Sequence, residues 1–316
     1  MSSSDGISFA RSPRAFNEQK KADTVLAVTP TSANKHLSPP ASPTTSDRLF
    51  DGALALTQPA RGVGYRANVD AILLAAFAGR LLPGTERPSP RRARHAVDLG
   101  SGVGAVALSL LHLGAAEHVT LIEIDPMLAE LAAKNLSENG WNERGYVQCT
   151  SVSFVTSTLR EPADLVVCNP PYVAPNRGRP PQDHVAQAKV GDLDTFIRAA
   201  RETVGRRARA CFVYPAIEGT TLLGTLRAHG LEPKRLRPVH GSPHTAARVL
   251  LVEAAPGKHG GLVVEPPLLE TNHQGGASES LAALLRAPRQ GADRAQSRRP
   301  LERSGDSTHL DRESAR

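Results

Sequence analysis

The tetrapeptide Asn169-Pro170-Pro171-Tyr172 follows an unbroken apolar run, Leu165 to Cys168. Such a run reads as a buried strand. Neither proline can extend a sheet ladder, because each lacks the N–H and fixes φ. The strand therefore stops in a rigid corner that offers an amide, free carbonyls and, at Tyr172, an aromatic ring. Ligands of open α/β sheets bind beyond the carboxyl ends of strands. These groups suit a planar, amine-bearing substrate. A Pro-Pro turn with a surface tyrosine is the competing reading of the same residues.

Three further groups carry candidate chemistry. Asp98-Leu99-Gly100-Ser101-Gly102-Val103-Gly104 joins an apolar run to an apolar, helix-like segment. A glycine loop there permits unusual φ and close backbone approach, and the helix behind it presents free N–H groups. The Gly-x-Gly-x-Gly spacing departs from the dinucleotide fingerprint. A carboxylate at Asp98 would repel a pyrophosphate and would suit a ligand bearing an ammonium group. Glu123 ends the next strand, where an acidic residue receives ribose hydroxyls. Asp70 opens the helix that Asn68 can cap. It is either a charge favourable at a helix N-terminus or a carboxylate facing a ligand amine.

The elements that must position these residues alternate strand and helix. The expected strands are residues 95–99, 118–124, 145–149, 165–168, 208–213, 233–239 and 247–253, with a short leading strand over 49–56. The expected helices are 69–81, 105–113, 127–139, 193–204 and 217–229. Alternation predicts an α/β fold, a mostly parallel seven-stranded sheet with helices on both faces. The short turn between the last two strands predicts a closing hairpin with one antiparallel strand. The apolar segment 262–269 closes the domain. Residues 173–191 form a long Pro/Arg-rich loop, and its Arg177, Arg179 and Lys189 are candidate substrate contacts at the mouth of the site, with surface charge as the competing reading.

The 316 residues divide into three parts. Residues 1–48 and 271–316 are polar and aperiodic and are expected to be disordered, with a transient helical turn over 281–286. Residues 49–270 form one domain of ordinary size. The formal charge of +7 is spread along the chain. It fits a nucleic-acid partner without requiring one. Three basic clusters, Arg87/Arg91/Arg92/Arg94, Arg206/Arg207/Arg209 and Lys234/Arg235/Arg237, read individually as solvated loops and strand ends. Cys149, Cys168 and Cys211 lie in apolar runs and read as reduced core residues, not as a disulfide framework or metal site. No secretory or membrane-spanning segment is visible, so a cytoplasmic protein without membrane or metal partners is expected.

Taken together, the glycine loop after Asp98, the acid at Glu123 and the Asn169 corner resemble the class I S-adenosylmethionine-dependent methyltransferases, with their Rossmann-like fold. Within that class, Asn-Pro-Pro-Tyr marks enzymes that methylate a planar amino nitrogen: adenine N6 in DNA or RNA, or glutamine N5 in peptide release factors. The flanks Gln58-Pro59, residues 64–77, residues 237–254, Gly260-Gly261-Leu262 and Pro266-Pro267-Leu268 resemble the bacterial tRNA adenine-N6 methyltransferases, which act beside the anticodon. No helical N-terminal domain of the release-factor type is expected.

The resemblance implies S-adenosyl-L-methionine as cofactor and tRNA as partner. It implies that Asn169 and the Pro170 carbonyl hold the amine while Tyr172 stacks on the base. Gly100 and Gly102 would approach the methionine portion, Asp98 its amino group and Glu123 the ribose, with Tyr65 and Asp70 closing over the methionine end. Glutamine-N5 methylation of a protein and a non-catalytic cofactor-binding module remain alternatives. One departure stands out. Cys149-Thr150-Ser151 occupies the place where many such enzymes carry an Asp for the adenine amine.

Overall fold

The computed structural model describes residues 43–61, 66–85, 92–171 and 192–290. A hairpin of β1 (Thr44–Leu49) and β2 (Leu54–Pro59) precedes helix α1 (Val69–Ala78). Strands and helices then alternate: β3 (Ala93–Leu99), α2 (Ala105–His112), β4 (Ala116–Glu123), α3 (Pro126–Glu138), β5 (Gly145–Cys149), a short α4 (Val155–Thr158) and β6 (Ala163–Cys168). Helix α5 (Leu193–Thr203), β7 (Val204–Pro215) and α6 (Gly219–Ala228) follow. The closing elements are β8 (Leu231–His240), β9 (Ala247–Pro256), β10 (Val263–Val264), β11 (Leu268–Leu269) and α7 (Glu279–Leu285).

Nine strands make one sheet in the order β10-β8-β9-β7-β6-β3-β4-β5, with β11 also on β8. Strands β3 to β7 are parallel to one another, and β9 runs antiparallel to both β7 and β8. The expected seven strands and closing hairpin are all present. The two additional strands come from the closing apolar segment, whose two-residue pieces pair parallel to the outer edge of β8.

Strand β6 shows why its sequence is apolar throughout. Leu165 and Val167 join the core packed under α1, α2 and α3. Val166 and Cys168 face the opposite core, with Phe196, Ile197, Leu222 and Leu226 of α5 and α6. A strand covered on both faces has no solvent side to mark with a polar residue.

The structure corrects the expected outline in four places. The single leading strand over 49–56 is a hairpin. Asp51 and Gly52 have φ of 52° and 91°, and Ala53 N donates to Phe50 O at 3.0 Å. An Asp-Gly pair with both φ positive is the favoured tight hairpin turn. The domain also exceeds its expected edges at 49 and 270. β1 is polar but fully paired in backbone with β2, while α7 buries Leu281 and Leu284 against the main core. The expected disorder of 1–42 and 291–316 lies outside the described residues.

Basic residues expected in solvated clusters are partly interior: Arg209, Arg235 and Arg237 are 2%, 5% and 1% exposed. They are held because carboxylates from neighbouring strands and backbone carbonyls meet their guanidiniums. Cys149 is exposed, unlike the buried Cys168 and Cys211, because β5 is the sheet edge and Cys149 ends it.

Candidate active site

Helix α2 begins where the chain must turn sharply out of β3, and three glycines allow it. Gly100, Gly102 and Gly104 have φ of 69°, 55° and 86°. A Cβ on Gly100 would lie 2.8 Å from the Phe196 ring, and one on Gly104 would lie 2.9 Å from Leu121 Cδ2. Side chains at either position would meet both backbone strain and collision. Gly100 N and Ser101 N both donate to Ile122 O, at 2.9 and 3.0 Å, so the loop is held against the end of β4.

Two carboxylates flank this loop. Glu123 accepts from Gly102 N at 2.7 Å and from Asp125 N at 2.8 Å. Burial raises its pKa, and these backbone donors oppose the rise. Asp125 in turn caps α3 through Met127 N at 3.0 Å, with Pro126 at the first helical position. Asp98 is 2% exposed and accepts from Ala107 N at 3.2 Å. Burial pushes its carboxyl up to about 7, Ala107 N–H opposes this, and the nearby Glu123 charge adds to it. An acid in that range ionises readily when a cation arrives.

One narrow crevice of about 10 Å³, room for about one water, brings the separate motifs together. Asp98, Gly100 and Ser101 line it with Asn169 from the end of β6 and with Ala67 and Ala71 from the start of α1. Asn169 and Pro171 are partly buried and Pro170 is buried. Ser101 Oγ is buried without a hydrogen-bond partner among the described residues. Sequence reasoning gave Ser101 no role, although its place between two loop glycines was a usable signal. Ile124 and Phe154, also unassigned, are exposed large apolar side chains near the ends of β4 and β5. A larger cavity of about 1,040 Å³ lies between Leu81–Pro83 and α7, and none of these site residues lines it.

The remaining expected residues separate. Asp70 does not line the narrow cavity. Asn68 caps α1 through Asp70 N at 3.0 Å, and the Asp70 carboxylate pairs with the Arg248 guanidinium of β9. Arg248 also holds Glu270, with Nε donating to Oε2 at 3.1 Å. Thr150 contributes its backbone N–H to Glu123 O at 2.9 Å, and Ser151 caps a short 3₁₀ turn through Ser153 N. Tyr65, Tyr172 and the loop 173–191 with Arg177, Arg179 and Lys189 lie outside the described residues. The described residues contain no cluster of His, Cys, Asp and Glu that could hold a metal, and no helix long and apolar enough to cross a membrane.

The donor set fits S-adenosylmethionine. A buried, easily ionised carboxylate beside an unsatisfied hydroxyl suits an ammonium-bearing amino acid end. The second carboxylate and the glycine-rich loop suit a ribose approached closely by backbone.

Comparisons with known proteins agree. The family model for the methyltransferase small domain matches residues 79–191. The tRNA1(Val) (adenine(37)-N6)-methyltransferase of Flavobacteriaceae bacterium strain 3519-10 is 26% identical over 196 residues, covering 62% of this chain and 79% of that protein. The enzyme of the same name from Vibrio parahaemolyticus is 29% identical over 196 residues, covering 61% and 76%. A solved structure from Agrobacterium tumefaciens, described as a predicted O-methyltransferase, shares the fold with a TM-score of 0.52 at 22% identity, over 69% of this chain and 97% of that one. With the strand order, the glycine loop and the two carboxylates in place, the chain has a Rossmann-like methyltransferase fold and is an S-adenosylmethionine-dependent methyltransferase similar to these enzymes.

Proposed function

We propose that this enzyme methylates the exocyclic N6 of an adenine in tRNA, beside the anticodon. The carrying observation is that Asn169, at the rigid end of β6, lines the same narrow cavity as Asp98, Gly100 and Ser101. The similarity to enzymes named for adenine 37 of tRNA1(Val) supports the choice of substrate. A tRNA substrate supports a cytoplasmic location.

Bound S-adenosylmethionine supplies an activated methyl group, so the protein's task is to position and polarise the amine. An adenine amine is a weak nucleophile because its lone pair is delocalised into the ring. The Asn169 side-chain oxygen and the Pro170 carbonyl accept its two N–H groups. Acceptors out of the ring plane favour a pyramidal nitrogen and stabilise the charge that develops on it. Tyr172 stacks on the base, which an anticodon loop presents without duplex opening. Asp98 and Ser101 hold the cofactor's amino acid end, while Glu123 holds its ribose. Ile124 and Phe154 flank its base, where Thr150 and Ser151 stand in place of an acid. Tyr65 closes the entrance, while Asp70, paired with Arg248, anchors the start of α1.

Incubation with methyl-labelled cofactor and either total tRNA or a peptide release factor tests the reading. Label is expected in nuclease-sensitive material, as N6-methyladenosine. Label in the release factor would assign glutamine N5 instead, and binding without transfer to either would leave a non-catalytic module. Asn169→Ala is expected to lower transfer at least 100-fold, the scale of losing one preorganised polar contact to the reacting group, with cofactor affinity nearly unchanged. Full activity in that variant would overturn the mechanism.

A further inference from the structure

The first turn of α1 forms part of the narrow crevice. Ala67 and Ala71 line it together with Asp98, Ser101 and Asn169. Room for about one water is also room for one ammonium group. Alanine side chains offer such a group no bond, so what this wall contributes is its position. A wall displaced outward admits water beside Asp98 and screens the attraction of that carboxylate for a cation.

Two attachments fix the wall. Gln58 of β2 accepts from Ala67 N at 2.9 Å. On the other side Asp70, in the first turn of α1, pairs with Arg248 of β9. Arg248 uses two edges of its guanidinium. Nη1 and Nη2 donate to the two Asp70 oxygens, the first at 3.1 Å. Nε and Nη2 donate to the two Glu270 oxygens, at 3.1 and 2.6 Å. Both pairs are bidentate, a geometry that the planar fork of arginine allows and a lysine ammonium does not. The bond to Asp70 is the main cause raising the Arg248 pKa, and burial opposes it.

The partners beyond α1 are anchored in the sheet. Strand β9 lies between β7 and β8, and Val249 is in register with both Pro215 and Val239. Glu270 follows β11, and its N–H donates to His240 O at 2.8 Å.

We propose that Arg248 is a positioning residue for the cofactor, which it does not touch: it draws Asp70 toward the sheet and so holds the α1 wall of the crevice in place. The proposal rests on the crevice being where the cofactor's ammonium group binds. It also gives Asp70 an indirect role, exerted through Arg248 and not on the ligand amine. The clasp joins two carboxylates to one guanidinium, a net charge of −1. The side chains of Asp70 and Glu270 are 10% and 15% exposed. Without Arg248 they face each other as two like charges with little water between them, and their repulsion moves α1 away from the sheet.

The test is calorimetric titration of the full chain with S-adenosylmethionine, with no methyl acceptor present. The Arg248 side chain is 39% exposed, so Arg248→Met removes the charge without leaving a closed cavity. It is expected to weaken cofactor binding about tenfold or more, since small misplacements in a site are costly. Adding Asp70→Asn to that variant returns the net charge to −1. It is expected to bring the affinity back to within about threefold of wild type, the non-additivity of residues that act as one unit. Arg248→Lys, a point charge in place of two forks, is expected to fall between wild type and Arg248→Met.

Unchanged affinity in Arg248→Met would overturn the proposal. So would no recovery on adding Asp70→Asn, because one of the two residues would then touch the cofactor directly. A role in stability alone would lower the melting temperature and the bound fraction, leave the affinity of the folded fraction unchanged, and equally overturn it. Asp98→Asn separates failure of the clasp from failure of the site: weak binding there with full binding in Arg248→Met rejects the clasp alone, and full binding in Asp98→Asn rejects both. No arm uses tRNA, so the result stands whatever nucleoside, or protein, proves to be methylated.

Discussion

Asp98 illustrates how one residue can be legible in type and illegible in state. Its sequence position argues for an ammonium partner, since a carboxylate beside the glycine loop disfavours a pyrophosphate. Only the fold shows that the carboxyl is buried and pushed up to about 7 from an ordinary 3.8, first by desolvation. The sign of the consequence follows. A raised carboxyl favours folding fully below its unfolded value, and that contribution is lost as pH rises from about 4 through about 7. In the absence of cofactor, the wild type is expected to lose stability across that window relative to Asp98→Asn, as read by denaturant titration at several pH values. Cofactor binding runs the other way, because an ammonium requires the ionised form. Affinity is expected to rise about tenfold per pH unit below 7 and to level above it, whereas Asp98→Asn binds weakly with a flat profile. A flat wild-type profile would show that Asp98 does not meet the ammonium.

At the scale of elements, α3 acts as a clamp. Asn135 is completely buried and makes three hydrogen bonds: it accepts from Thr57 N at 2.7 Å and donates to Thr57 O at 2.9 Å and Val103 O at 3.0 Å. Asn139, one turn later, repeats the pairing with Ala55 N and O. Two amides on one helix face thus satisfy the free edge of β2 and tie it to the glycine loop. Asn135→Ala leaves two acceptors and one donor buried without partners. It is expected to cost about 2–4 kcal/mol in urea denaturation, and a loss under 1 kcal/mol would mean that water replaces the amide. Arg66 and Gln58 extend the clamp on the other side. Gln58 accepts from Ala67 N at 2.9 Å, and Arg66 donates to Asp47 at 2.9 Å. Neither hairpin nor clamp was readable as such in the sequence. Asn135 and Asn139 look like ordinary polar positions of an amphipathic helix until β2 is placed against them.

For the whole molecule, residues 271–290 belong to the folded body. Helix α7 buries Leu281 and Leu284. The residues after it bond back to α2: Gln290 N donates to His112 O at 2.9 Å, and the Ala287 carbonyl lies 2.9 Å from His112 Nε2. Arg289 stacks over Trp141 with 4.4 Å to the ring centroid. Truncation after Thr271 is expected to cost about 3–6 kcal/mol, from two leucines at about 1.5–3 kcal/mol each. An unchanged denaturation midpoint would show that α7 only rests on the surface.

The sequence by itself determined the strand–helix alternation, the glycine loop, the Asn-Pro-Pro corner and the acid after the second main strand. Each is a local pattern, set by φ permissiveness, proline chemistry and hydrophobic period, which neighbouring residues alone specify. Tertiary structure alone decided which of these patterns meet. Asn169 shares a cavity with Asp98 and Ser101 because β6 lies beside β3. Asp70 instead meets Arg248, 178 residues away, across the start of β9. Arg209, Arg235 and Arg237, which look solvated one cluster at a time, converge on Glu253 and Glu265 in the interior, since burial and charge balance are properties of the assembled sheet and not of any stretch of chain.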